Sequence, residues 1–331
     1  MIYYNGPVSE LFGYGILGKN LLKELSKKTT VGYIEDGYVL AFRDEDDDDL
    51  VKKYKVENVD GKVDSPIIFV VNPDFSKARR GLWGNPSIGH FYYEKEELTD
   101  EMIQNMKRDF DLMIAGSKWN EKILRDHGIE NVKTIQQGVD REIFNKKGKT
   151  SPYGDNFVLF SGGKFEHRKA QDIAYAAFKV AKERHGDICL VTTWTNLFDK
   201  DAKILGVGEK DIYHMGLMDQ KGLAGVMCDS DIGVFPNRCE GGTNLVLMEY
   251  LACGRPVVAN DSTGQKDVLD REYAYIVSPK NDADLLDQTI EGIEWAYDHR
   301  GELQKMGDKA DKAMDSFTWN ITAEKFLEAC K

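Results

Sequence analysis

The sequence predicts an α/β protein built of two Rossmann-like domains facing a cleft. Three observations carry this expectation. The 331 residues fit two domains at roughly 150 residues each. In both halves short apolar runs alternate with stretches of helical period, the pattern of strands joined by crossover helices into a parallel sheet. A polar segment at 145–156, with Gly148, Pro152 and Gly154 and no hydrophobic period, reads as the linker. The predicted division is 1–150 and 151–312, with 313–331 as a C-terminal helical segment.

In the first half, strands are expected at 1–4, 31–34, 38–42, 66–71, 111–115 and 132–135. Residues 66–71 are one continuous apolar run, as in a strand buried on both faces. Leu17, Leu21, Leu22 and Leu25 recur at helical spacing. Residues 119–127 read as a second helix, with Gly128 as its stop. In the second half, strands are expected at 157–161, 188–192, 212–215, 232–235 and 256–259. Helices are expected at 171–184, 222–227, 245–253 and 283–297, and helical pattern runs through 303–329.

Composition excludes several classes. With 41% hydrophobic and 30% charged residues, the chain can build packed cores and is not of the disordered type. A net charge of −12 argues against nucleic acid as a partner, since phosphate binding needs a positive face. No run approaches the ~18 apolar residues of a membrane span. The opening residues lack a basic region followed by an apolar stretch, so no signal peptide is expected. Five cysteines without a C-x-x-C pair read as free thiols in the reducing cytoplasm. No histidine spacing suggests zinc. The acidic run 44–49 reads as a solvated surface loop, because it lacks the glycine and spaced ligands of a calcium loop. Residues 19–28 are basic and amphipathic. They suit either a helix packed on the sheet with its lysines in water, or peripheral contact with anionic lipid.

Three constellations could carry chemistry. Gly13-x-Gly15-x-x-Gly18 matches a dinucleotide fingerprint by letter. A NAD site also needs an acidic residue after the second strand, and the nearest, Asp36, lies in a turn. A glycine-rich turn approachable by phosphate or sugar, and glycines for close helix packing, remain as readings. Second, Ser161-Gly162-Gly163-Lys164-Phe165-Glu166-His167-Arg168-Lys169 follows a strand and precedes a helix. Open backbone followed by cations suits a diphosphate, and a solvated basic turn is the alternative. Third, Glu240-Gly241-Gly242-Thr243-Asn244-Leu245 runs from an apolar strand into an apolar helix that carries Glu249. The helix start offers amides to an anion, and the glutamates suit sugar hydroxyls on either side of it.

Together these residues resemble the retaining glycosyltransferases of family 4, which have the GT-B architecture. The resemblance rests on the Gly-Gly-Lys164…Lys169 turn and on Glu240…Glu249 with the following Cys253-Gly254-Arg255-Pro256 exit. Ser262-Thr263-Gly264-Gln265 and Phe317-Thr318-Trp319 extend it. Ser117-Lys118-Trp119-Asn120 and Gln137-Gly138-Val139-Asp140 resemble the end of the family's first domain. The match covers about 110–330 well. Two departures stand out. Eight residues separate the glutamates where the family has seven, the extra one falling within 241–244. Lys164 and Ala170 replace the family's usual arginine and glycine, and lysine cannot grip bidentately.

The resemblance implies transfer of a hexose from a nucleoside diphosphate sugar, with no cofactor or metal. GDP-mannose is the first expectation and a UDP-hexose the next, although no residue fixes the base. Lys164 and Lys169, with Arg168, would stabilise the departing diphosphate. Gly163, Gly242, Thr243, Asn244 and Leu245 would bring backbone to the donor. Glu240 would contact the transferred sugar and Glu249 the ribose. The base would lie near 193–196 and 213–216. Gly13 and Gly15 would face the diphosphate from the first domain. His90 would stand near the anomeric carbon or be a packed structural histidine, and Glu94 is a further acceptor-side candidate. The acceptor is expected to be a glycan or a lipid- or protein-linked group. The last helix is expected to return to the first domain. An NAD-dependent oxidoreductase, or an inactive sugar-nucleotide-binding protein of the same fold, are the alternatives.

Overall fold

A computed structural model describes residues 1–35, 45–199 and 201–331. The strand expected at 38–42, together with Asp36 and Asp44, lies outside the described residues. The chain forms two units, Met1–Gly138 with Phe317–Lys331, and Val139–Ser316. The change of unit at Gly138 precedes the polar segment 145–156, which belongs to the second unit. Polar contacts tie this stretch down where a hydrophobic period is lacking. Lys149 Nζ meets Asp231 at 2.5 Å, and Thr150 Oγ1 donates to Asp229 at 2.8 Å. The return to the first unit falls at Phe317, not at 313.

In the first unit the elements are β1 (Ile2–Asn5), α1 (Gly13–Ser26), β2 (Val31–Tyr33), α2 (Glu45–Tyr54), β3 (Gly61–Lys62), β4 (Ile67–Val70), β5 (Leu82–Trp83), β6 (Ser87–Phe91), α3 (Asp100–Asp109), β7 (Leu112–Ala115), α4 (Lys118–Asp126) and β8 (Val132–Thr134). Six strands make a parallel sheet in the order β2-β1-β4-β6-β7-β8. Ile67, Ile68 and Phe69 are wholly buried, as their unbroken apolar run requires. Ser117 caps α4 by accepting from Asn120 N at 3.1 Å, and Gly128 closes it at φ +74°, where glycine meets no steric cost.

Two parts of this unit differ from the sequence reading. Residues 45–49 open a helix instead of lying in a solvated loop. Asp47 is 0% exposed and pairs with Lys19 at 2.7 Å. Four acidic side chains in its first turn suit the positive end of a helix. The stretch around His90 is an interior strand, β6, whose polar letters hide burial along its whole length.

In the second unit come β9 (Phe157–Lys164), α5 (Gln171–Arg184), β10 (Ile188–Thr195), β11 (Ile212–His214), α6 (Gln220–Cys228), β12 (Ile232–Phe235), α7 (Leu245–Ala252), β13 (Val257–Asn260), β14 (Ala274–Val277), α8 (Asp282–Asp298) and α9 (Arg300–Ala313). The parallel order is β11-β10-β9-β12-β13-β14. α5 buries Ile173, Ala174, Ala177, Phe178 and Ala181 against this sheet, one stripe at helical spacing. Tyr250 of α7 stacks on Phe160 at 5.1 Å between centroids and shares a 2.7 Å hydrogen bond with Ser230. The final helix, α10 (Trp319–Ala329), is capped by Thr318 and packs on α1 within the first unit.

Each sheet reverses its strand order once, between β1 and β4 and between β9 and β12. Ligands of open α/β sheets bind beyond the carboxyl ends of strands at such a reversal. In the second unit this point lies between the ends of β9 and β12, which lead into the two charged loops.

Candidate active site

β9 runs past the predicted Ser161 through Gly162 and Gly163 to Lys164. A side chain on Gly162 would stand 2.7 Å from Thr193 Oγ1. Gly163 has φ +111°, a conformation that L side chains rarely adopt. The basic turn 167–169 follows and ends at Ala170, itself at φ +54°. Positive φ explains why glycine is the usual residue at that place in the motif. Arg238 N and Cys239 N both donate to Arg168 O, at 2.8 and 3.2 Å, so backbone bonds join the two loops.

Cations and carboxylates alternate in this cluster. Lys169 Nζ donates to Glu240 Oε1 at 2.5 Å, and Arg168 Nη1 donates to Glu240 Oε2 at 3.1 Å. Asn237 Nδ2 gives Glu240 Oε1 a further bond at 2.5 Å. Glu166 pairs with Lys164 and with Arg168 at 3.0 Å. Burial alone would raise the Glu166 carboxyl. The Lys164 hydrogen bond and the neighbouring positive charges overcome it, so its pKa lies below the ordinary value. Lys164 also stands 4.6 Å over the Phe198 ring. The predicted cations are therefore together, each facing a carboxylate.

Glu240 is held from behind by the segment 262–265. Thr263 Oγ1 accepts from Glu240 N at 2.8 Å, and Gly264 N donates to Glu240 O at 3.0 Å. Gln265 is wholly buried. It accepts from Asn244 Nδ2 at 2.8 Å and donates to Phe235 O and Asn260 O at 3.1 and 2.8 Å. Asn244 takes φ +60° just before α7, inside the segment where the extra residue falls. Gly242, Thr243 and Leu245 are buried beside it. Sequence reasoning named Gln265 only as part of a motif, and missed Glu166, Asn237 and Thr263 as cluster partners. Glu166 carried one usable signal, an acid between Lys164 and Arg168.

Glu249 lies on α7 with 3% exposure. Its carboxyl makes no hydrogen bond among the described residues. Burial, with a smaller contribution from the Asp140 charge, pushes its pKa up to about 8. Such a buried carboxyl is short of hydrogen-bonding partners. Of the segments expected near the base, 193–196 and 213–216, residues 193–195 and 213–214 close β10 and β11 at the same sheet edge.

In the first unit Gly13, Gly15 and Gly18 lie within α1, not in a turn before it. A Cβ at Gly15 would stand 2.8 Å from Ser9 O, and one at Gly18 would stand 2.1 Å from Pro7 O. Close packing thus accounts for both, whereas Gly13 has only Gln137 Nε2, at 4.0 Å, nearby. His90 is 0% exposed. Its Nδ1 lies 3.1 Å from Ile114 O, and its ring meets Tyr14, Tyr92 and Phe326 edge-on. Burial lowers its pKa to about 3, so the imidazole is neutral at ordinary pH. Nε2 of His90 and the hydroxyl of Tyr92 are buried without hydrogen-bond partners among the described residues. Glu94 is exposed. The apolar stripe of residues 17–25 is buried, and Lys27 and Lys28 pair with Glu24 and Glu324. The stripe thus faces the core, as the packed-helix reading expects. Among the described residues, no cluster of three His, Cys, Asp or Glu could hold a metal, and no helix is long and apolar enough to cross a membrane.

Residues 155–294, most of the second unit, match the family described as "Glycosyl transferases group 1". The likeness to that family therefore lies in the second unit. A phosphatidyl-myo-inositol mannosyltransferase of Mycobacterium tuberculosis is 23% identical over 268 residues, covering 77% of this chain and 70% of its own. At the level of fold, sucrose-phosphate synthase from Thermosynechococcus elongatus superposes with a TM-score of 0.72 at 15% identity, over 99% of this chain and 97% of that one. HepE of Anabaena in complex with UDP-glucose gives 0.70 at 15% identity, over 99% and 98%. The fold is GT-B. The matched residues contain both charged loops and Glu249.

Proposed function

We propose that the protein is a retaining glycosyltransferase that takes a hexosyl unit from a nucleoside diphosphate sugar and needs no metal. The observation that carries this is the cluster of Lys164, Arg168, Lys169 and Glu240 at the strand-order reversal of the second unit. The diphosphate takes the place of the carboxylates on the cations and leaves Glu240 to the sugar hydroxyls. Lys169 and Arg168 then stabilise the charge that grows on the leaving oxygen. Amides at the start of α7 add to this. Glu249, short of partners, receives the ribose hydroxyls. The bond from C1 to the phosphate oxygen breaks and one from C1 to the acceptor oxygen forms on the same face. The acceptor's proton passes to the departing diphosphate.

GDP-mannose is the donor of first choice, supported by the mannosyltransferase among the relatives. A UDP-hexose is the second, supported by the neighbour solved with UDP-glucose. The acceptor is a glycan or a lipid- or protein-linked hydroxyl. The free cysteines, four of them buried, suit the cytoplasm. The test is slow donor hydrolysis without acceptor, in the presence of a chelator, followed by NMR of the fresh sugar. Release of the donor's own anomer supports retention. The opposite anomer, or dependence on added metal, sinks that part of the proposal.

A further inference from the structure

The second unit has a groove away from the charged loops, bounded by β14, the end of α8 and α9. It is a cavity of about 470 Å³ whose lining includes Tyr275, Trp295, Arg271, Lys305, Lys309 and Glu272. That is within the size range of small-ligand sites. The Tyr275 and Trp295 rings lie 5.6 Å apart at 38°. Both are partly buried against the core, and the Trp295 ring also stacks on His299 at 4.7 Å and 15°. Among the described residues, neither the indole N–H nor the phenol has a hydrogen-bond partner. Lys309 pairs with Glu272 at 2.8 Å, whereas Arg271 and Lys305 have no acidic partner among the described residues. Glu302 also lines the groove, has no ion-pair partner among the described residues, and can accept from hydroxyls.

We propose that this groove binds a sugar ring carrying an anionic group, such as a uronate or a sugar phosphate. A flat aromatic wall suits the C–H face of a pyranose. The indole N–H, the phenol and Glu302 meet its hydroxyls, and Arg271 grips the anion in two bonds with Lys305 beside it. The site is separate from the donor loops. Those loops leave the carboxyl ends of β9 and β12, while Arg271 and Glu272 precede β14, which runs parallel to them. The groove therefore opens at the other edge of the sheet, where it holds an acidic saccharide without touching the reacting atoms.

The test is the indole N–H signal of Trp295 in a ¹H–¹⁵N spectrum of the full chain, assigned with Trp295→Phe. The probes are a hyaluronan tetrasaccharide, maltotetraose and uridine monophosphate. The acidic tetrasaccharide is expected to shift this signal saturably and maltotetraose hardly at all. Arg271→Ala with Lys305→Ala, both exposed, weakens binding at least tenfold with the melting temperature held. No shift with the acidic probe overturns the proposal, as does an equal response to maltotetraose or a stronger one to uridine monophosphate. The readout is binding at a site remote from the charged loops, so its failure leaves the transferase reading intact, and the reverse also holds.

Discussion

Lys169 Nζ and Glu240 Oε1 lie 2.5 Å apart, joining the basic turn after β9 to the loop after β12. The pair is nearly buried, with side-chain exposures of 11% and 6%. It holds the cation where a diphosphate would need it and keeps Glu240 oriented by Asn237 and Arg168. On the proposed function, a cation removed from this cluster takes away both a ligand for the leaving group and the partner of a buried carboxylate.

Lys169→Ala is therefore expected to lower the rate of donor turnover by about 10²–10³-fold, the range for one lost donor to a developing oxyanion. It should also cost about 2 kcal/mol in stability, since Glu240 loses a charged partner. Steady-state donor hydrolysis and a urea melt check the two effects. Lys169→Arg should recover more stability than rate.

Glu249 produces a pH dependence with an unusual sign. Its carboxyl has an ordinary value of 4.5 and is held at about 8 in the fold. Between those values the unfolded chain has released a proton that the folded chain keeps. Its contribution to stability is thus fully present below pH 4.5, falls as pH rises, and is lowest above pH 8. Glu249→Gln should flatten this slope and stabilise the protein by a few kcal/mol above pH 8. Melting temperatures from pH 5 to 9 test it. The same variant should bind donor nucleotide more weakly.

Gln265→Ala removes three hydrogen bonds from a wholly buried side chain. The Asn244 amide and the carbonyls of Phe235 and Asn260 lose a partner each. A loss of about 2–4 kcal/mol follows from unsatisfied buried groups. Donor affinity should fall with it, because Asn244 sets the start of α7. A chemical melt and a donor titration read these separately.

The glycines of α1 should differ in tolerance. Gly15→Ala would press a methyl against Ser9 O and N at 2.8 and 2.9 Å and cost about 1–3 kcal/mol. Gly13→Ala, with open space around it, should leave the melting temperature within a degree or so. Equal tolerance at both positions would contradict close packing at Gly15.

Lys19 and Asp47 form a buried pair with side-chain exposures of 8% and 0%, and Glu10 adds to it at 3.2 Å. Lys19→Met strands the Asp47 charge and should cost about 3–5 kcal/mol. Lys19→Met combined with Asp47→Leu should recover much of that loss. Denaturation of the two single variants and the double one closes the cycle.

This pair shows where sequence reading stops. The strand Ile232–Phe235 and the helix Gln171–Arg184 have the bounds that the sequence predicts, because apolar run and helical stripe report burial directly. The cation loop was legible for a related reason: paired glycines before clustered lysines have few structural uses. Asp47 was not, since a run of acids looks alike in water or facing a distant lysine. β6 escaped because His90 and Ser87 are polar letters on a strand buried on both faces. Gln265 gave no local sign either, as its three partners come from β12, the end of β13 and the start of α7.

The most direct measurement is a metal-free calorimetric titration of GDP-mannose, UDP-glucose, UDP-N-acetylglucosamine, ADP-glucose and NAD into the full chain. It is repeated with Lys169→Ala and Glu249→Ala. Saturable binding of one sugar nucleotide, weakened at least tenfold in both variants, is the expected result. Binding of NAD alone, or of a sugar nucleotide unaffected by either substitution, would contradict a donor site built from the charged loops and Glu249.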